Sequence, residues 1–300
     1  ETRTSNLPLS VTYTLENQYV FFSGFEIFTN QEKFVITGRA FYTQFPRLYY
    51  GIGRETPASN EELYDFKQLV LEPRLLKRMF FKYLFIGGGI RLNDVSDVTF
   101  ESDGLLADND QTGELGSRSL GGEFAILFDS RNNILYADRG WFGEFSYGIY
   151  DKKIGSSSNF ELLRFDLRHY LTPWKKNKDI LAFHVRTQFS FGDVPIADRA
   201  WLGGDEIMRG YYEGRFIDNH LIAFQTEYRK VIKNRLGAVV FAGLGDVASD
   251  FGDFQLNRFR PSVGFGLRFM LDPRENLNLR FDYGIGKGED NFYLNIAEAF

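Results

Sequence analysis

The sequence predicts an all-β fold, in particular a transmembrane antiparallel β-barrel of about 14–16 strands with a long loop folded into its lumen. Three observations predict it. Aromatic residues make up 17% of the 300 residues, and aromatic side chains favour strands over helices. Apolar and polar residues alternate through much of the chain, as in strands that present one face to each environment. No apolar run approaches the roughly 18–20 residues that a membrane-spanning helix needs.

The alternation is clearest in segments 261–271 and 277–286, where one face carries polar or small residues with several glycines. A soluble β-sandwich also alternates, but its solvent-facing side is rarely so rich in glycine. A barrel in lipid needs an apolar outer face and a polar or small inner face, and closure satisfies every backbone group. The pattern therefore favours the barrel over the sandwich. The apolar face comprises Val263, Phe265, Leu267, Phe269, Leu271, Leu277, Leu279, Phe281, Tyr283 and Ile285.

About fourteen strands are predicted, an even number as in bacterial barrels. Short connections near 30–32, 77–79, 172–178, 232–234 and 272–276 are expected on the periplasmic side. Long loops at 46–65, 94–117, 193–218 and 247–259 are expected outside. The candidate strands are 8–15, 18–29, 33–45, 66–77, 80–93, 118–129, 140–151, 160–171, 179–192, 219–231, 235–246, 260–271, 277–287 and 291–300.

The organisation predicted from the chain is simple. Residues 1–300 form a single barrel domain, and segment 57–65 forms one helical turn capped by Ser59. The chain lacks cysteine, so neither disulfides nor thiolate metal sites are possible. The net charge of −5 argues against nucleic acid as a partner. The start at Glu1, without Met or a signal-peptide pattern, indicates a mature or trimmed product.

The residues give no support for an enzyme, a cofactor or a metal site. The three histidines have no metal-ligand spacing, and no Gly-x-Ser-x-Gly motif is present. The loop 94–117 contains seven acids and no Lys or Arg. A divalent-cation site that bridges to anionic lipid is conceivable there, but a solvated, self-repelling loop is the favoured interpretation.

The segment Asp205–Arg215 carries the main functional signal. Gly210 permits a tight turn that would point Arg209 away from the loop surface. Carboxylates inside a barrel, in low dielectric, would bind such an arginine strongly and fix its position. A long outer loop that folds back would then both plug the pore and be held in place. An exposed loop arginine is the alternative.

These residues resemble the BamA/TamA-type outer-membrane insertase and bacterial surface-antigen barrels, over essentially the whole chain. Met208, Arg209, Gly210 and Tyr211 resemble the family's Val/Ile-Arg-Gly-Phe/Tyr signature, which follows Leu202-Gly203-Gly204-Asp205. The turn with Asp129, Arg131 and the later Gly140 is similar to the family's Asp-x-Arg-x-(Asn/Asp) turn and Arg-Gly. Segments 225–229 and 279–284 are similar to strand motifs of that family. Five predicted strands follow the signature loop, which is the family's number.

The partner of Arg209 is where the sequence departs from the family. In many members an aspartate of a Phe-x-Asp-x-Gly motif receives the arginine, but here Gly243 occupies that place. Glu227 and Asp282, both predicted on the inward face, are the two candidates for the receiving acid.

The final segment resembles the signal by which outer-membrane barrels are recognised for insertion. Phe292, Leu294, Ile296 and Phe300 are predicted to share one face, which Glu298 interrupts. A plain closing strand is the alternative interpretation, and both can hold.

The resemblance implies a barrel of the bacterial outer membrane that assists insertion or translocation of polypeptides. Its first and last strands would form a weak seam that templates an incoming strand, while the Arg209 loop holds the barrel's working shape. The implied partners are client polypeptides, outer-membrane lipid with lipopolysaccharide, and an upstream periplasmic domain or partner, since the family's POTRA repeats are absent from residues 1–300. One alternative is a membrane-anchoring or translocating barrel for a fused or partner hydrolase, without insertase activity. Another is a passive porin.

Overall fold

The computed structural model describes residues 2–108, 111–174, 179–274 and 276–300, and almost all regular structure in them is β-strand. The one α-helix described is α1 (Leu105–Asp108), and six short 3-10 turns lie in connections: Asn30–Glu32, Ala58–Asn60, Lys152–Ile154, Ile196–Asp198, Phe251–Asp253 and Leu256–Arg258. The strands are β1 (Leu9–Tyr13), β2 (Tyr19–Phe28), β3 (Phe34–Gln44), β4 (Arg47–Tyr49), β5 (Glu62–Leu71), β6 (Arg74–Arg78), β7 (Leu84–Thr99), β8 (Ser117–Asp129), β9 (Gly140–Tyr150), β10 (Phe160–Trp174), β11 (Asp179–Gly192), β12 (Ala200–Leu202), β13 (Phe216–Asp218), β14 (His220–Lys233), β15 (Leu236–Ala248), β16 (Arg260–Asp272), β17 (Leu277–Ile285) and β18 (Asp290–Ile296).

Most of these strands form one sheet. Its hydrogen-bonded order is β1-β2-β3-β5-β7-β8-β9-β10-β11-β14-β15-β16-β17-β18, with β4 paired to β5 and β6 paired to β3 and β7. The sheet has 16 strands in the described residues, so the predicted all-β class and the number of about 14–16 strands are confirmed. β12 and β13 form a separate two-stranded sheet. No helix in the described part of the chain is long and apolar enough to cross a membrane.

Contacts divide the chain into two compact units. The first comprises Glu1–Phe128, Glu144–Arg164 and Phe189–Ala200, and the second comprises Asp129–Gly143, Phe165–Gln188 and Trp201–Phe300. The candidate site lies within the second unit. A single domain over residues 1–300 stays a prediction.

The two faces of the sheet differ as the alternation predicts. In β16, Val263 and Leu267 are 50% and 61% exposed, whereas Ser262 and Arg268 on the opposite face are buried. The same holds in β17, where Phe281 is exposed and Asp282 is buried. An exposed apolar face next to a buried charged face is the reverse of a soluble core and is typical of strands in lipid.

Two predictions for residues 57–77, around β5 and β6, are wrong in detail. Segment 66–77 is not one strand, because Pro73, which has no backbone N–H to donate, separates β5 from β6. Both strands still pair with β3 and β7. The helical turn predicted at 57–65 is limited to Ala58–Asn60, with Pro57 in the capping position, so Ser59 does not cap it.

The acidic loop also begins later than predicted. β7 runs to Thr99 and includes Asp94 and Asp97, which form ion pairs with Arg118 and Lys67 at 2.6 and 2.7 Å. The side chain of Asp108 and all of 109–110 lie outside the described residues. So do 175–178 and 275, which belong to the predicted short turns 172–178 and 272–276.

Candidate functional site

The loop between β12 and β13 (residues 203–215) has a fixed internal shape. The Gly204 amide donates to the Tyr211 carbonyl at 3.1 Å, and the Tyr211 amide donates to the Met208 carbonyl at 3.3 Å. Gly210 has φ +113°, a conformation that glycine adopts without steric cost. The resulting turn points Arg209 out of the loop and onto the polar face of β14 to β17.

Arg209 binds both candidate carboxylates at once. Its Nη1 donates to Asp282 Oδ2 at 2.5 Å, and its Nη2 donates to Glu227 Oε1. The guanidinium carbon also lies 3.7 Å from the centre of the Phe241 ring, within the range of a cation–π contact. All three charged side chains are fully buried. The sequence left open whether Glu227 or Asp282 receives Arg209. In the structure the guanidinium binds both carboxylates.

The backbone beside Arg209 is bound as well. Ser262 Oγ donates to the Arg209 carbonyl. The Gly210 amide donates to Tyr293 Oη at 3.0 Å, and Asn291 Nδ2 donates to the Gly210 carbonyl at 3.1 Å. The loop therefore contacts β16 and β18 in addition to the strands that hold its side chain.

Each carboxylate that binds Arg209 has a second arginine partner. Arg229 Nε donates to Glu227 Oε2, and Arg268 Nη1 donates to Asp282 Oδ1, both at 2.6 Å. Arg268 Nε also donates to Glu298 Oε2 at 2.8 Å. Burial opposes ionisation of Glu298, but the guanidinium groups of Arg229 and Arg268 outweigh it and hold its pKa below the usual value.

A fourth arginine, Arg280, joins the cluster through Asp282, whose carboxylate lies 3.6 Å from its Nη1. Arg280 donates to the Asp205 carboxylate at 3.0 Å, and Asn295 Nδ2 donates to the same carboxylate at 2.8 Å. The cluster then holds four arginines and four carboxylates: Arg209, Arg229, Arg268, Arg280, Asp205, Glu227, Asp282 and Glu298. Seven of these side chains are buried, and that of Asp205 is 47% exposed. The buried charges are tolerated because they are paired, since each unpaired ion would cost several kcal/mol.

The structure gives a physical reason for glycine at position 243. A Cβ added there would lie 3.2 Å from Met208 Sδ, and one added at Gly245 would lie 3.0 Å from the same atom. β15 therefore receives the Met208 side chain in the space that an acid would occupy. Gln225 fixes Met208 from β14, since its Oε1 accepts from the Met208 amide at 3.1 Å.

Tyr211, the last residue of the signature, binds β16 and the connection between β17 and β18. Its hydroxyl donates to the Pro261 carbonyl at 2.9 Å and accepts from the Lys287 amide at 2.8 Å. Its ring lies over Gly286, where a Cβ would be 2.6 Å from it.

The turn motif has an ion pair of its own. Arg131 binds Asp129 through two parallel bonds at 3.0 and 3.1 Å, and its guanidinium lies 4.4 Å from the Phe142 ring centre. Gly140 has φ +107°. The structure brings Asp129 and Arg131 together. Their role stays a prediction.

The four residues of the predicted insertion signal do not share one face. Phe292, Leu294 and Ile296 are exposed on the apolar face of β18. β18 ends at Ile296, and Ala297 has φ +76°, which ends the alternation. Phe300 is buried against Tyr170. The shared face predicted for Phe300 is therefore wrong, and the signal role of the other three stays a prediction.

Sequence reasoning missed several members of the site. Ser262, Gly284 and Arg268 are inward residues of correctly predicted strands. The alternation alone therefore identifies them as candidate residues of the site. Phe241 and Tyr293 could not be found this way, because their contacts depend on where the loop docks. Glu298 was predicted on the apolar face, yet it binds Arg268 in the cluster.

Comparison with known proteins shows the family of this chain. The Omp85 superfamily domain matches residues 60–300. The chain belongs to the Omp85 superfamily. It is a barrel protein of the bacterial outer membrane, and the resemblance to BamA/TamA-type barrels is confirmed at the level of the barrel domain. No curated protein sequence matches the chain.

Two solved structures are similar to this Omp85 chain in fold. One is BamA from Haemophilus ducreyi lacking POTRA domains 1–3, with TM-score 0.60 and 13% identity over 97% of this chain and 63% of that chain. The other is CdiB from Acinetobacter baumannii, with TM-score 0.63 and 14% identity over 97% of this chain and 53% of that one. The chain thus spans less than two thirds of either structure, and at these identities the likeness shows the fold.

Replacing Arg209 with alanine should release the loop. The change leaves Glu227 and Asp282 buried with one cation fewer, and removal of one partner of a buried pair costs about 3–5 kcal/mol. Because Arg229 and Arg268 remain, we expect the lower end, about 3 kcal/mol, or roughly a hundredfold more open loop. Chymotrypsin cleavage after Tyr211, which is 1% exposed, measures this opening in the bilayer-embedded protein.

Arg258→Ala, at an exposed position, is the matched control and should leave cleavage unchanged. Arg209→Lys should protect the loop only in part, since a lysine lacks the planar fork that reaches two carboxylates. Wild-type cleavage of the Arg209→Ala protein would contradict the assignment.

Replacing Gly284 with alanine should displace the loop without any change of charge. A Cβ at Gly284 would lie 2.6 Å from the Arg209 carbonyl carbon and 2.6 Å from the Gly210 nitrogen. We expect increased chymotrypsin cleavage, as for Arg209→Ala. Gly252→Ala is the control, because no atom lies within 4 Å of its added Cβ; equal cleavage of both variants would show that close approach of the loop to β17 is not required.

Proposed function

We propose that this Omp85 barrel assists the insertion or translocation of polypeptides at the outer membrane, without catalysing a chemical reaction. The proposal rests on family membership and on the edge of β18. Client polypeptides, outer-membrane lipid with lipopolysaccharide, and an upstream periplasmic domain or partner are its proposed partners. Because the chain covers only part of BamA and CdiB, the activity of those whole proteins is carried over as a hypothesis.

The edge of β18 is the observation that carries the proposal. Among the described residues, β17 is the one strand that pairs with β18. The Ala297 amide donates to the Asn278 carbonyl, so in this register the amides of Asn295 and Tyr293 also point to β17. The amides of Leu294 and its alternate neighbours therefore point to the other edge, where an incoming strand can pair.

Strand addition to such an edge supplies affinity through main-chain hydrogen bonds and does not depend on the client's sequence. That property suits a protein that handles many different polypeptides. The side chains of Phe292, Leu294 and Ile296 on the same strand are exposed and apolar, so a strand that pairs there would enter the membrane beside an apolar face.

The Arg209 loop supports this edge from the polar face. Asn291, Tyr293 and Asn295 of β18 each bind the loop, at Gly210 or Asp205. In the proposed mechanism the loop holds β18 in an extended, pairing-competent position while its outer edge stays available.

Leu294→Pro tests the edge directly. Proline removes the Leu294 amide and places a ring on the pairing edge, while the ladder to β17 keeps its donors. We expect the full-length protein with this change, reconstituted in liposomes, to insert a small client barrel about tenfold more slowly. Client insertion is measured by its heat-modifiable mobility on gels.

Leu294→Ala is the matched control, because it removes the same side chain and keeps the amide. Equal client insertion by both variants, with both barrels folded, would contradict strand templating at β18. If wild-type protein inserts no client at all, the alternative of an anchoring or translocating barrel for a hydrolase is favoured.

A further inference from the structure

We propose that Asp198 is a second anchor of the Arg209 loop and holds its first limb independently of Arg209. As a whole, that loop is the connection of residues 193–219 between β11 and β14, which includes β12, β13 and residues 203–215. Its first limb (193–200) lies in the first compact unit, and its second limb (203–215) lies in the second. Arg209 belongs to the second limb alone.

Asp198 is placed by a single 3-10 turn, Ile196–Asp198, in which its amide donates to the Pro195 carbonyl at 2.9 Å. Its side chain is fully buried. Oδ1 accepts from Arg91 Nη1 at 2.6 Å and from Asn93 Nδ2 at 2.9 Å, while Oδ2 accepts from Ser119 Oγ at 2.6 Å. Three donors from β7 and β8 therefore converge on one carboxylate of the loop.

The charges of these strands explain why an acid is needed there. Arg91 also pairs with Glu72 at 2.5 Å, and through it joins a larger ion-paired cluster. Within the described residues that cluster has four arginines and three glutamates, but the surplus arginine, Arg39, is 48% exposed, so water solvates its charge. The members are Arg39, Arg74, Arg91, Arg164, Glu72, Glu123 and Glu144. Loss of Asp198 would leave the buried guanidinium of Arg91 with one carboxylate partner fewer, and it would remove the acceptor that Asn93 and Ser119 share. Removing one member of a buried ion pair is costly, so docking of the first limb stabilises these groups.

Neighbouring contacts make the first limb a docked segment. The Ile196 amide donates to the Thr112 carbonyl at 3.0 Å, and Arg199 Nη2 donates to Gln111 Oε1 at 2.9 Å. The Asp193 amide donates to the Asn159 carbonyl at 3.0 Å. These amides are protected only while the limb is in place, so they report on its docking.

The two anchors use opposite charges and different strands. Asp198 binds β7 and β8, whereas the side chain of Arg209 binds β14, β15 and β17. The contacts named above have no residue in common, and mutations at sites of that kind act additively. Loss of Arg209 should then free the second limb and leave the first limb docked, and loss of Asp198 should do the reverse.

Hydrogen exchange followed by mass spectrometry on the full-length protein in bilayers tests this inference. We expect Asp198→Ala to raise exchange about tenfold or more at the amides of residues 196, 198 and 199. Exchange at Met208, Gly210 and Tyr211 should change less than about twofold, as additivity requires. Arg209→Ala should give the opposite pattern, and the double variant should show both.

Glu213→Ala is the control, since Glu213 is an exposed acid of the same loop. Unchanged exchange in the first limb of Asp198→Ala would overturn the proposal, and so would equal increases in both limbs of either single variant. If Asp198→Ala does not fold, Asp198→Asn removes only the charge. First-limb exchange equal to wild type in that variant would also overturn it.

A consequence for client polypeptides rests on the proposed function: each anchor variant should slow client insertion. The exchange measurement needs no client polypeptide, so it tests the second anchor independently of the proposed function. If exchange is limb-specific but the wild-type protein inserts no client, the proposed function is contradicted and the proposal of a second anchor stands.

Discussion

The guanidinium of Arg209, shared between Glu227 and Asp282, is the interaction on which the rest of the site depends. Asp282 lies 73 residues along the chain from Arg209, on another strand, and all three groups are fully buried. Burial of so many charges is tolerated only because each has a partner. The strands therefore supply a site that the loop must complete, and Phe241 and Gly284 fit the shape of the docked loop.

Much of the fold could be predicted from the sequence, because alternation reports directly which side of a strand meets lipid. For residues 261–271 and 277–286, the alternation predicts correctly that each segment is a strand and which side chains lie on its apolar face. The errors lie where backbone chemistry outweighs alternation: Pro73 divides one predicted strand, and the turn at Ala297 ends the last one early. Neither effect changes the sheet order, since β5 and β6 keep the same neighbours.

The site was predictable only in part. Alternation placed Glu227 and Asp282 on the inward face, but it gave no reason for one arginine to bind both. Nor could it show that Gly243 makes room for Met208, since that contact depends on the docked position of the loop. Asp198 was missed because it lies in an irregular segment, where no period relates a residue to a face. Phe300 was misplaced because a continuous strand was assumed beyond Ile296.

A double-mutant cycle tests most directly whether Arg209 is shared. The free energy of unfolding in bilayers would be measured for Arg209→Met, for Glu227→Gln and Asp282→Asn, and for each pair. Close, desolvated charge pairs show coupling of about 1.5 kcal/mol or more, and the account predicts such coupling of Arg209 with both carboxylates. The coupling of Arg209→Met with Glu289→Gln should be almost zero, because the carboxylate of Glu289 binds Arg215. Coupling near zero with either Glu227 or Asp282 would contradict the account.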